Sequence, residues 1–294
     1  MIFGMLCALG SSVCYGTATV LQAVAARAAA GQDEGASRAG VDAALFVRAV
    51  RQWRYLVGLA LDGAGFALQI VALLLIPIYA VGAAMAASLA VTAVLATRVL
   101  AVRLSRTEWT AVVVVCAGLA MLGLASGPEG RAPAPPWLEW ALLGTGAGVL
   151  LCGAAAGRLP GRSRALALGV CAGLGFGVPE VAVRLLERPS LADPALYALL
   201  LGGAAAFLLL TSAFAHGSVT TATAGMVLTE TIAPAAVGVV WLGDRTREGL
   251  AWLAVLGFAV SVAGALALAR FGELPAAASP SRSSGARPGD RDRG

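Results

Sequence analysis

The sequence predicts an all-α, polytopic membrane protein with nine transmembrane helices in two inverted repeats of four plus one linking helix. Composition is the first observation behind this. Of 294 residues, 59% are hydrophobic and 13% charged, with mean hydropathy +0.83; a soluble domain carries roughly 25% charged residues. Second, nine segments approach the ~20 apolar residues that cross a bilayer core. Third, a rhythm of three helices at 54–126 recurs at 194–270, about 140 residues later.

Taken in order, residues 2–24 form the first expected span. No basic residue precedes its apolar run, so it does not read as an ordinary signal peptide. Ser11, Ser12, Thr17 and Thr19 interrupt it, which suits a helix facing other helices. Residues 25–53 form the one long internal loop: GQDEGASRAG is expected to be flexible, and VDAALFVRAVRQW to lie as a short surface helix. Spans 54–76 and 78–101 are joined by a short charge-free link, and span 107–126 follows. The linker GPEGRAPAPP (127–136) is rich in proline, and 137–157 is the unmatched helix. The second quartet comprises 164–187, 194–215, 219–242 and 248–270, with a tight link at His216-Gly217-Ser218. From Gly272 the tail is rich in Pro, Ser, Gly and charge, a composition that stays disordered.

Equivalent helices are five crossings apart, an odd number, so the second quartet lies upside down relative to the first. The domains are therefore 1–126, a first repeat containing the loop 25–53; 127–160, linker and unpaired helix; 161–271, the inverted second repeat; and 272–294, the tail.

All 21 basic residues are arginine, which points to a GC-rich bacterial genome. With nine spans, sixteen arginines fall on one side and five (Arg131, Arg184, Arg188, Arg245, Arg247) on the other. The positive-inside rule then puts the N-terminus outside and the C-terminus in the cytoplasm of a plasma-membrane protein. The net charge of +5 needs no nucleic-acid partner. All six tryptophans (Trp53, Trp109, Trp137, Trp140, Trp241 and Trp252) lie at or near span ends, as an interfacial aromatic belt requires. The five cysteines lie within helices, form no CxxC pair, and read as small buried hydrophobes. Gly169, Gly173 and Gly177 recur every four residues, as do Gly144 and Gly148. Such ridges let helix backbones approach in lipid. No GxxxxGK[ST] loop is present, which excludes an ATP-driven mechanism of that type within this sequence, and no cofactor is implied.

Ionisable groups inside a span are expensive, about 2.5–3.5 kcal/mol at mid-helix on insertion scales, and mark partners or cavities. Three carboxylates qualify. Glu230 lies eleven residues into its span, about 16 Å deep, between Thr229 and Thr231. Pro234, four residues on, deprives the Glu230 carbonyl of its helical partner. A carboxylate beside a freed carbonyl suits a cation or proton site, and Glu230 is the one residue to expect on a metal if any binds. The alternative is a protonated acid hydrogen-bonded to a neighbouring helix. Glu180 follows Pro179, a second expected helix break, but Arg184 four residues later offers an ion pair. Asp62, eight residues past Arg54, has Gly63 and Gly65 after it and a packing role as its rival reading. The remaining lining candidates are Ser12, Tyr15, Gln69, Ser88 and Thr92, with Ser11, Thr19 and Gln22 nearby. His216, the single histidine, reads as a solvated turn residue. With that histidine outside the apolar spans, no nucleophile–base arrangement stands out, so no enzyme is expected.

The stretch TTATAGMVLTETIAPAAVGVVWLGDRTREGLAWLAVLGFAVSVAGALALAR resembles the terminal helix pair of the drug/metabolite transporter (EamA-like) superfamily. The resemblance rests on the Leu242-Gly243-Asp244-Arg245 turn and on Gly257 and Gly264 seven residues apart. In the first copy Val102-Arg103-Leu104 stands at the turn, Ala111 at the first glycine and Gly118 at the second. Within that superfamily GSSVCYGTATVLQ is similar to the first helix of the NIPA-type magnesium transporter branch. Ala25-Ala26-Arg27 stands where that branch commonly has a basic pair. The resemblance implies a secondary transporter that moves a polar metabolite or drug-like solute by alternating access. Magnesium transport is the second reading, and a non-transporting scaffold or sensor on the same fold the third. The expected partners are a small-molecule or ion substrate and the bilayer, with a homodimer as an assembly the reading admits.

Overall fold

The computed structural model describes residues 2–31, 41–76, 78–101, 104–128, 130, 132–186 and 193–271. The expected flexible stretch around 32–40, Val102-Arg103, Arg131, Arg188, the side chain of His216 and the tail from Gly272 lie outside the described residues.

The chain is helical, and among the described residues the only β-type pairing is a single bridge, Ser126 to Thr246. The elements are α1 (Ile2–Ala30), α2 (Ala43–Val50), α3 (Trp53–Leu75), α4 (Ile78–Met85), α5 (Ala87–Val99), α6 (Arg106–Ala125), α7 (Leu138–Ala156), α8 (Gly161–Leu185), α9 (Pro194–His216), α10 (Val219–Val237) and α11 (Ala251–Phe271). A π-helical turn, Gly238–Leu242, prolongs α10. Eight of these helices are long and apolar enough to cross a membrane: α1, α3, α6, α7, α8, α9, α10 with its π turn, and α11.

Helix starts follow local chemistry. Ser105 and Glu108 form a reciprocal capping box on α6. Asp193 caps α9 ahead of Pro194, and Ser218 accepts from the Thr221 amide to start α10 straight after the tight link. Asp42 caps α2, the short helix expected in the long loop.

The segment 78–101 differs from the single helix expected. It is two short helices, α4 and α5, meeting at Ala86. The reason is a tertiary contact: the Ser12 hydroxyl on α1 donates to the Ala84 carbonyl at 2.8 Å. An uninterrupted helix would give that carbonyl to the amide of residue 88, and a side chain inserted into this ladder bends a helix.

Packing is pairwise. α1 lies along α3 and also against α4 and α5; α8 lies along α9 and α10; α6 lies along α11; α7 covers α8 and α9. The ridge Gly169-Gly173-Gly177 seats α8 on α10. A Cβ at those positions would meet, in turn, the backbone of Ala222, the Thr229 hydroxyl with the Met226 carbonyl, and the Pro234 ring. Gly144 and Gly148 are a correction: nothing approaches either within 4 Å, and α7 makes its contacts through Gly146 and Gly153 instead. Spacing alone does not say which face of an apolar helix meets protein. Gly257 and Gly264 pack onto α6, close to Gly118 and Val115, so the glycine pair of the last helix joins it to α6.

The two ends of the bundle differ. Towards Gly217, no residue from Gly16 to Ala26 of α1 is exposed, and Leu209–Phe214 of α9 and Val219–Gly225 of α10 are all buried. Towards Ile76, α1 exposes Ile2, Phe3, Met5, Leu6, Leu9 and Val13, while the far half of α10 exposes Thr231, Ala235, Ala236 and the π turn's Val239–Trp241. Five of the six tryptophans are exposed (Trp53, Trp137, Trp140, Trp241 and Trp252), each at a helix end. The cysteines are all free. Cys7 and Cys171 are buried as expected, whereas Cys152 is exposed.

Candidate functional site

α1 carries a polar stripe towards its neighbours in the first half. Ser11 Oγ donates to the Gly65 carbonyl at 2.7 Å, and Ser12 is engaged with Ala84 as described. The Tyr15 hydroxyl donates to Gln69 Oε1 at 3.0 Å. Gln22 Nε2 donates to Asp62 Oδ2 at 2.6 Å. Asp62 therefore has a dedicated amide partner, and Gly65 meets α1 at Cys14, Ser11 and Tyr15, whereas Gly63 faces open space. Thr92 donates to its own helix at Ser88 O (2.9 Å) and weakly to Gly16 O (3.5 Å); with Ser88 it is buried in the α1–α5 seam. These two residues serve helix packing.

The second half contributes acids of another kind. α8 and α10 run side by side through the glycine ridge, with the Thr229 hydroxyl donating to Gly225 O at 2.8 Å and across to Val170 O at 3.0 Å. Glu230 is half-buried on α10, and Glu180 is exposed on α8 between the buried Val178 and Val181. Among the described residues neither carboxyl forms a hydrogen bond or ion pair. Glu230 lies within electrostatic reach of both Glu180 and Asp62, and Tyr15 within reach of all three acids. Asp62 and Tyr15 thus lie on the packed α1–α3 pair, with Gln22 and Gln69 attached through their bonds, and Glu180 and Glu230 on the packed α8–α10 pair. Gln22 entered the sequence reading only as lining, and the depth of each helix residue does not reveal that it faces Asp62.

The ion pair expected between Glu180 and Arg184 is not what the structure contains. Arg184 forks onto Asp244, with Nη1 to Oδ2 at 2.8 Å and Nη2 to Oδ1 at 2.7 Å, and the Gly130 amide also donates to Asp244. A bidentate pair on a carboxylate already oriented by a backbone amide outcompetes an i, i+4 contact on one helix. Asp244 is posted there by Gly243, whose φ of +77° closes the π turn in the left-handed region open to glycine. The Asp244 amide returns to Gly238 O at 2.9 Å. The linker is tied down at the same place, with Arg247 N–H donating to Ala125 O and Ala132 N–H to Leu242 O. Arg184 holds the Asp244 carboxyl below its ordinary value by these hydrogen bonds, against the opposing effect of burial, with Gly130 assisting.

Pro179 and Pro234 lie inside continuous helices, so neither is a helix end. Each still removes a donor, and the irregular backbone follows Pro234 as the π turn. For a metal, the described residues hold no cluster of three His, Cys, Asp or Glu side chains. The arrangement is two carboxyls without polar partners among the described residues, one half-buried and one exposed, with an amide-bound third and a phenol near enough for their charges to act on one another. Compared with protein-family models, with curated proteins and with solved structures, the chain matches none.

Proposed function

We propose that the chain is a secondary transporter of the drug/metabolite superfamily, moving a small polar or drug-like solute by alternating access, with Glu230 and Glu180 as its principal binding groups. The observation that carries this reading is that Glu230 and Glu180, within helices long and apolar enough to cross a membrane, have no polar partner among the described residues. An acid within an apolar membrane-crossing helix that is kept only for packing takes a hydrogen-bond partner, because leaving it bare is unfavourable. Glu230 and Glu180 lack one, whereas Asp62 has Gln22.

Two further features support the reading. The packing pairs recur between halves: α1 with α3 and then with α4 and α5, α8 with α9 and then with α10, and the two closing helices α6 and α11 with each other. This is the pattern of two inverted quartets if α4 and α5 together make a ninth, broken crossing, and broken helices near a central site are a transporter device. The Leu242–Arg245 turn supports the superfamily assignment through Gly243 and the Asp244 clamp. A plasma-membrane location with the N-terminus outside remains part of the proposal on the arginine distribution. Magnesium ranks second: Mg²⁺ favours several oxygens and retains its waters, and only the two bare carboxyls are free to meet it. The scaffold reading draws on the paired state of Asp62, Gln69 and Ser12.

The test is uptake into proteoliposomes of a solute panel, with and without a pH gradient and Mg²⁺. Glu230→Gln is expected to reduce flux to background while remaining monodisperse with an unchanged unfolding temperature. Flux by that variant at the wild-type level removes Glu230 from the mechanism, and silence of the wild type across the panel favours the scaffold.

A further inference from the structure

The two halves are joined unevenly. At the Gly217 end, Arg27 on α1 reaches across to the second half, where Nε donates to Phe214 O at 3.3 Å and an Nη to Gly217 O at 3.1 Å. These carbonyls close α9, so a guanidinium there satisfies acceptors that the helix leaves open and meets the negative end of its dipole. Beside it, the Tyr55 hydroxyl on α3 and Thr211 Oγ1 on α9 form a buried hydrogen bond of 3.0 Å, again between halves. Ala23 and Ala26 pack into one core with Leu210, Ala213, Phe214 and Val219 at this level. At the other end the halves meet through the backbone, Arg247 N–H to Ala125 O and the Ser126–Thr246 bridge, while every hydrogen bond made by a described side chain of α1 between Ser11 and Thr19 stays within the first half. Glu180 and Glu230 lie on the side of this layer where α1 and α10 carry exposed residues.

We propose that Arg27 is a latch that holds the Gly217 end closed, with Tyr55–Thr211 as its auxiliary catch. This rests on the alternating-access reading above and adds to it the closed end and the group that closes it. The state described here is held closed at the Gly217 end. Passage to the opposite state must detach the Arg27 guanidinium from Phe214 O and Gly217 O, because α1 cannot separate from the α9–α10 link while both bonds stand. Arg27 is a positioning residue and touches no solute.

Hydrogen–deuterium exchange on the intact protein in proteoliposomes tests this without any solute. Arg27→Ala is expected to speed exchange in peptides covering 209–222 by about tenfold, the scale of losing hydrogen bonds to a charged group. Peptides covering 230–247 are expected to slow in the same sample, because opening one end closes the other. Arg27→Lys should restore part of the difference, and Tyr55→Phe should shift both regions the same way to a smaller extent. Faster exchange at both ends means that Arg27 only stabilises the fold and overturns the proposal; so does no change at either. A reciprocal shift in a protein that moves no solute sinks the transport reading and leaves the latch standing. Flux without a reciprocal shift does the opposite.

Discussion

Asp244 shows how much of the molecule one side chain can organise. It accepts both arms of Arg184 and the Gly130 amide, so α8, the linker and the turn before α11 converge on a single carboxylate. The folded carboxyl titrates below its ordinary value of 3.8 because of Arg184. The stabilisation is therefore complete above that value and fades as pH falls through the lowered one. The pair is partly exposed, at 26% for Arg184 and 19% for Asp244, so screening holds its worth to on the order of 1 kcal/mol. Asp244→Asn is expected to lower the unfolding temperature at pH 6 to 8. The gap from wild type should narrow as melting is repeated below about pH 4. A gap of constant size would show that the charge of Asp244 is not what matters. At the same scale, Asp62 is legible as an intramembrane acid, but its partner is not. Gln22 is forty residues away and on another helix, so only the packing of α1 on α3 makes the pair.

Among the elements, the α8–α10 seam sets the position of both bare acids. Gly173 leaves room for the Thr229 hydroxyl and the Met226 carbonyl. Gly173→Ala is expected to destabilise the protein by about 1–3 kcal/mol through overpacking and to reduce flux, since Glu180 and Glu230 ride on the two displaced helices. Gly144→Ala, with nothing within 4 Å, is expected to leave stability unchanged or improve it by up to ~1 kcal/mol through helix propensity. Thermal unfolding of the two variants side by side checks both; equal destabilisation would contradict the assignment of faces. The sequence offers the same four-residue spacing at both places. An apolar helix in lipid has no polar face to mark its exposed side, so the periodicity finds the ridge without finding its neighbour. The Ala86 break is hidden for a related reason: its cause is a serine 74 positions earlier, on α1.

For the molecule as a whole, the proposed topology rests on the arginine distribution and on the pairwise packing. Reporter fusions after Phe271 are expected to fluoresce with a green fluorescent protein and to be inactive with an alkaline phosphatase, as a cytoplasmic C-terminus requires. The reverse pattern would invert every depth assigned to the acids. The seam between α6 and α11, close at Gly118, Gly257 and Gly264, joins the last helices of the two halves away from the acids. The residues of α1, α9 and α10 are more completely buried towards Gly217 than α1 and α10 are towards Ile76, so the bundle has unequal ends.

What the sequence determined by itself is the membrane as solvent, eight helices long and apolar enough to cross it, and the identity of the three costly acids. Apolar length and intramembrane charge are properties of each segment alone, and a helix satisfies its own backbone wherever it lies. Only the tertiary structure decided that Arg184 holds Asp244 and leaves Glu180 bare, that Gln22 holds Asp62, and that Arg27 spans the two halves. Each of those is a contact between distant segments. Which side chains meet there depends on the rotation of one helix against another, and that rotation is fixed by small-residue packing that hydropathy does not encode.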